Sequence, residues 1–184
     1  MRNALIFVVV LMLSGTSAYA QTVYNGSIGI FADDSTTDPS WCLSAAPGVL
    51  YVYFLHTNAH GATTSQWAAP PPACLTAVHL ADLPVFTVTV GNTESGICIG
   101  YGMCKTGWFH IMTAVYQVTS VGQCCDWHVV ADPNLPSGRI AVLDCDSNLD
   151  YGNGWMAIFD TNPSCCSTPN DESTWGKVKA LYVE

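Results

Sequence analysis

Charge is what this chain has least of. Lys, Arg, Asp and Glu together make up 10% of its 184 residues, against about a quarter in an ordinary globular protein. Solubility must therefore lean on Thr, Ser, Asn and Gly. Positive charge is scarcest: five Lys and Arg stand against 14 Asp and Glu, a formal net charge of −9. Binding to nucleic acid or to an anionic membrane surface needs a basic footprint, so neither partner is expected. No C-x-x-C pair occurs, which counts against zinc. No G-x-S-x-G element occurs either, so nucleophilic catalysis has no signature. The internal glutamates are only Glu94 and Glu172, both in loop-like sequence, and no carboxylate pair for glycoside hydrolysis is marked. After the N-terminal segment there is no further long apolar run, so no membrane span is expected.

The N-terminal segment reads as an export signal. Arg2 and Asn3 give a short positive start, residues 4–13 are unbroken apolar sequence, and Ala18 and Ala20 flank Tyr19 in an A-x-A cleavage site. The apolar run is about half the roughly 20 residues that span a bilayer. Residues 1–20 are therefore expected to be a signal peptide, leaving residues 21–184 as a single secreted, periplasmic or cell-surface domain. The basic residues remaining would be Lys105, Arg139, Lys177 and Lys179.

In an exported chain, nine cysteines read as a disulfide framework. They are Cys42, Cys74, Cys98, Cys104, Cys124, Cys125, Cys145, Cys165 and Cys166. Neighbours on a strand face opposite ways, so the members of each adjacent pair should bond elsewhere. The expected partners are Cys42 with Cys74, Cys104 with Cys124 or Cys125, and Cys145 with Cys165 or Cys166. The odd count leaves one thiol over or one bond to another chain.

The apolar pattern is short and alternating, with turn residues between segments. Residues 85–90 place Phe86, Val88 and Val90 on one face and Thr87 and Thr89 on the other, the pattern of a half-buried strand. Residues 49–57, apolar on both faces and rich in aromatic and β-branched types, suit a central strand; 109–118 and 138–145 read likewise. Weaker strands are expected at 27–32, 97–101, 127–131 and 155–160. About eight short strands argue for an all-β fold, an antiparallel two-sheet β-sandwich of Ig-like or jelly-roll-like type. One helical turn is expected at 64–69, where Thr63 and Gln66 have capping-box spacing and Pro70 stops the run. Residues 162–173 read as a stapled loop.

Asp144, Asp146, Asn148 and Asp150 offer oxygen ligands at alternate positions, as a calcium loop does. Leu149 stands where the glycine should be and Trp155 where the bidentate glutamate should be. A polar turn with carboxylates capping backbone amides is therefore the favoured reading, and no cofactor is expected unless calcium binds there. Of the five histidines, His56, His60, His79, His110 and His128, the one to test first as a ligand-binding residue is His56, at a strand end beside a polar loop. Most of the six tryptophans should fill the core. Trp41 and Trp67, in polar or proline-flanked sequence, are the ones expected to be exposed for stacking on a ligand.

Gly29 to Asp33 (GIFAD), His56-Thr57, Gly61 to Trp67 (GATTSQW), Pro72 to Cys74, Gly100 to Cys104 and the Thr174 to Tyr182 ending (TWGKVKALY) together resemble a group of secreted bacterial proteins. The resemblance spans nearly the whole chain after the signal and implies no activity. It implies that Cys98, at a position not usually cysteine in the group, is the free thiol. A disulfide-stapled binding or surface-interaction module, for an extracellular ligand or protein not named by any motif, is the leading functional expectation. The alternatives are a secreted hydrolase of glycans or peptides, with a histidine and carboxylates gathered from separate strands, and an extracellular structural subunit that docks through an edge strand or residues 174–184.

Overall fold

A computed structural model describes residues 24–160 apart from 45, 123 and 124. The proposed signal, the 162–173 loop, the 174–184 tail, Cys124, Cys165 and Cys166 lie outside the described residues. Ten strands are present: β1 (Tyr24–Phe31), β2 (Cys42–Ser44), β3 (Gly48–Trp67), β4 (Leu75–Pro84), β5 (Val88–Asn92), β6 (Gly96–Val121), β7 (Cys125–His128), β8 (Ile140–Leu143), β9 (Leu149–Gly154) and β10 (Met156–Asp160). No helix occurs among the described residues.

The chain is a two-sheet β-sandwich. The larger sheet runs β1-β9-β8-β3-β6-β4, with β5 added to β6 and β1 also paired to β3; the smaller is β2-β10-β7. Most pairings are antiparallel, but β1 with β9 and β10 with β2 are parallel. The spine is the long β3–β6 pair, antiparallel from Gly48 opposite Val118 to Trp67 opposite Ile97. Its aromatic and β-branched residues, such as Tyr51, Val52, Tyr53 and Phe54, fit a pleated, half-buried surface.

This spine is buckled. On one side of β6, β4 pairs with residues 112–121 and β5 with 96–100. The link between β4 and β5 is only residues 85–87, so residues 101–111 of β6 must bow away from that edge. Register shifts in β3 between Phe54 and Thr64 accompany the bow, as bulges do where a strand bends. Phe86, in the link, packs beneath it against Tyr101 and Phe109 at 5.0 and 6.4 Å between ring centres. The Cys104–Cys145 disulfide ties the bow to the turn after β8. Gly61 faces this bond with φ of 132°, and a Cβ there would come within 2.9 Å of the Cys145 sulfur.

Between the sheets, Phe54 stacks on Trp67 at 4.7 Å and Tyr116 meets Trp127 edge-on at 5.1 Å. Ile28, Ile30, Ile97, Ile99, Ile111 and Met112 fill the rest, all without solvent contact. Cys74–Cys125 joins the start of β4 to β7, one sheet to the other. The Cys74–Cys125 and Cys104–Cys145 closures span 51 and 41 residues, which chain entropy values at about 4 kcal/mol each.

Several expectations need correction. Cys74 pairs with Cys125 rather than Cys42, and Cys104 with Cys145; Cys42 is bonded too. Strand topology sets these partners, and spacing along the chain carries no trace of it. The expected helical turn at 64–69 is strand: Thr64, Ser65 and Gln66 are laddered to β6 on one side and β8 on the other. Two ladders outweigh one turn whose nucleation is itself unfavourable. The strand expected at 85–90 begins only at Val88, and Phe86, in the preceding link, packs inward instead of sharing a face with Val88 and Val90. Val88 and Val90 point to solvent, 61% and 71% exposed, because their register partners Gly100 and Cys98 lie on the outer face. β2, β4 and β9 were not anticipated.

Candidate binding face

Three rows of side chains cross the outer face of β3, β6 and β4, and register alone defines them. Val49 lies opposite Gln117, which lies opposite Val78; Tyr51, Val115 and Ala81 form the second row; Tyr53, Thr113 and Leu83 form the third. Residues directly opposite in a ladder share a face. Not one of the nine is charged. Val49, Tyr51, Val78 and Leu83 are each more than half exposed, and Leu80, in a bulge of β4, and Val85 are exposed beside them. His110 caps the third row, its ring 5.7 Å from that of Tyr53 and its Nε2 3.1 Å from Thr113 Oγ1. Isolated apolar side chains on a surface need no explanation, but a contiguous set on a flat sheet does.

The inner side of β3 and β6 carries a polar cluster within an otherwise apolar core. His56 is wholly buried. Its Nε2–H donates to the Asn25 carbonyl at 2.8 Å, and its Nδ1 accepts from the Tyr101 hydroxyl at 3.1 Å. Burial holds its pKa down to about 4, only partly offset by the Asn25 carbonyl. The Tyr101 phenol is pushed far up by burial, with a hydrogen bond from Ser65 opposing. Ser65 Oγ in turn accepts from the Trp67 indole at 3.2 Å. The Asn25 side chain accepts from the His60 amide at 3.0 Å and donates to the Gly61 carbonyl at 2.7 Å. A closed set of donors and acceptors of this kind rigidifies a site.

These contacts relocate the expected ligand-binding residues. His56 is a bracing group sealed from solvent, since its strand continues past Thr57 to Trp67 instead of ending in a loop. Trp67 is fully buried, because the strand that replaces the expected helical turn points it inward. Trp41 is half-buried just before β2. The four residues of the calcium pattern do not converge. Asp144 accepts from the backbone amides of Asp146 and Asn148 at 2.9 and 2.7 Å and from the Asn148 side chain at 3.0 Å, all of which lower its pKa. Asp150 accepts the Tyr151 amide. Among the described residues no three His, Cys, Asp or Glu side chains gather around a common point.

Cys98 carries a free thiol, raised by burial and by the nearby Asp132 carboxylate, which disfavours a thiolate. The histidine–carboxylate contact that forms is His79 Nε2 to Asp82 Oδ1, 2.9 Å. Thr93 saturates that carboxylate, its amide on Oδ2 at 3.0 Å and its hydroxyl on Oδ1 at 2.9 Å. The pair thus braces the β4 bulge against the turn after β5. The outer face was hidden from sequence reasoning because β4 was unrecognised; the Val78, Leu80, Leu83 spacing was the available signal.

No protein-family model and no curated protein matches the chain. Among solved structures it is similar to a cohesin module from the family 33 glycoside hydrolase of Clostridium perfringens ATCC13124. The TM-score is 0.50 at 5% identity, over 75% of this chain and 98% of that one. A non-cellulosomal cohesin from the archaeon Archaeoglobus fulgidus gives 0.49 at 11%, over 82% and 96%. The seventh ScaB type I cohesin from Pseudobacteroides cellulosolvens gives 0.47 at 10%, over 76% and 95%. At such identities the likeness is one of fold. It agrees with a β-sandwich, as expected from the strand pattern.

Proposed function

We propose that this chain is a secreted protein-binding module whose docking surface is the uncharged outer face of β3, β6 and β4. The observation that carries the reading is the three-row uncharged grid, in which Val49, Tyr51, Val78 and Leu83 stand more than half exposed around the buried Val115 and Thr113. Interface cores are depleted in charge and rich in Tyr and aliphatic side chains, and Tyr51 near the grid's centre is the natural anchor. Secretion is supported by the disulfides, which persist in oxidising compartments, and by the resemblance to exported bacterial proteins. The sandwich shared with a cohesin module of a glycoside hydrolase supports a module that presents one sheet face to a partner.

Affinity capture from the medium into which the protein is exported tests this. Proteins retained by the native chain should be lost with Tyr51→Lys plus Leu83→Lys. Equal recovery by a correctly folded double variant would sink the proposal. One observation favours a second reading, an extracellular structural subunit. Among the described residues β4 is paired only through β6, so its far edge is open for strand addition. A clean monomer at all concentrations argues against that reading. Of the described histidines, His56 is sealed from solvent and His79 is held by an Asp82 that Thr93 also engages, so neither offers a hydrolase a free base.

A further inference from the structure

Away from the proposed docking face, Arg139 stands at the start of β8 with its guanidinium carbon 3.9 Å from the centre of the Tyr151 ring and 5.5 Å from that of Tyr24. Two aromatic faces hold its plane. Yet in a chain with 14 acidic residues, the guanidinium meets no carboxylate among the described residues, where the sole ion pair is His79–Asp82. None of its five N–H donors is spent on a hydrogen bond among those described. A positioned but unpaired guanidinium is a fork waiting for a planar anion.

Beside it lies a cleft of about 240 Å³ lined by Tyr24, Ala131, Arg139, Asn153 and backbone of Gly152 and Gly154. The Gly154 α-carbon packs directly against the Val129 carbonyl, leaving no room for a Cβ, so that stretch of the wall is bare main chain, with Val129, Val130 and Ile140 also lining the cleft. The volume is below the roughly 300 to 1,000 Å³ of clefts that enclose drug-sized ligands, which limits the occupant to about one ring. Nor is a peptide strand accommodated: β9 is already paired on both edges, to β1 and β8. We propose that this cleft binds the carboxylate of an acidic sugar, a uronate, with Arg139 gripping the carboxylate and the Asn153 amide and backbone wall facing the ring hydroxyls.

Amide chemical shifts of the purified, disulfide-intact protein should be followed during titration with glucuronate, its methyl ester, glucose and a short Asp-containing peptide. Glucuronate should move the Ala131, Asn153 and Gly154 signals and bind more weakly as salt screens the contact. The methyl ester and glucose should bind at least about tenfold more weakly, since each lacks the charge that makes the guanidinium contact strong. Arg139→Gln should lose glucuronate to the same degree, and Arg139→Lys should recover only part, since it cannot grip in a bidentate way. Equal binding of glucuronate and its ester, undiminished binding to Arg139→Gln, no movement at the cleft, or the peptide binding where glucuronate does not would each overturn the proposal. The ester comparison decides even if the variants fold poorly. None of these outcomes depends on whether the β3–β6–β4 face binds a protein.

Discussion

The two sides of the β3–β6 pair invert the usual arrangement. Its outer face between Val49 and Leu83 shows uncharged, largely apolar side chains to water, while beneath the bow a histidine, a tyrosine, a serine and an asparagine are buried. The inner set is fully satisfied: His56, Tyr101, Ser65, Trp67 and Asn25 exchange hydrogen bonds in series. The outer set is open to water at Val49, Tyr51, Val78 and Leu83. Burial of polar groups costs stability unless they are paired, so the inner set must serve the architecture. Exposure of apolar groups gives no stability, so the outer set is free to serve binding.

The largest effect separating the two should come from the disulfide that clamps the bow. Replacing Cys104 and Cys145 together with Ala should lower stability by about 4 kcal/mol, read by denaturant unfolding, and leave residues 101–108 readily hydrogen-exchanged. A loss below about 1 kcal/mol would mean that the bow holds itself.

Next in size is the response to acid. His56 titrates near 6.5 when unfolded and near 4 when folded, so the unfolded chain takes up a proton that the folded one refuses. Stability from this residue is complete above the unfolded value, falls as pH drops below about 6.5, and levels off near pH 4. The loss is on the order of 3 kcal/mol. Unfolding curves collected across that window should show this slope, and His56→Gln should flatten it; an unchanged slope removes His56 as its source.

Smaller still, Tyr101→Phe strips the donor from His56 Nδ1 and the acceptor from Ser65. A loss of about 1 to 3 kcal/mol is expected in thermal or chemical unfolding, against none if the hydroxyl is idle. The outer face should barely respond by the same measure. Tyr51→Lys should change stability by no more than about 0.5 kcal/mol while weakening partner capture. A large loss of stability there would erase the contrast between the two sides.

The all-β character was legible from the chain because period-two alternation, β-branched and aromatic residues and frequent turn residues are local signals. The strands at 27–32 and 49–57 were found for that reason. Misreadings arose where long-range pairing decides the outcome. Thr63 and Gln66 have the spacing of a helix cap, yet ladders to β6 and β8 hold Thr64 to Gln66 extended. Val88 and Val90 alternate as a half-buried strand does, but alternation is symmetric and cannot say which face looks out. The candidate face escaped because β4, with His79, Asp82 and Pro84 breaking its apolar run, gives little local signal.

What the amino-acid order determined by itself is a weakly charged, cysteine-rich chain whose residues prefer strands, because composition and short-range periodicity need no partner to be read. Tertiary structure alone decided which cysteines meet, that His56 and Trp67 are sealed, that Arg139 meets no carboxylate among the described residues, and that seven apolar side chains on three strands share one outer face. Each of these depends on register between segments far apart in the chain, as far as Tyr24 opposite Tyr151, set by packing of the whole sandwich and invisible in any one segment.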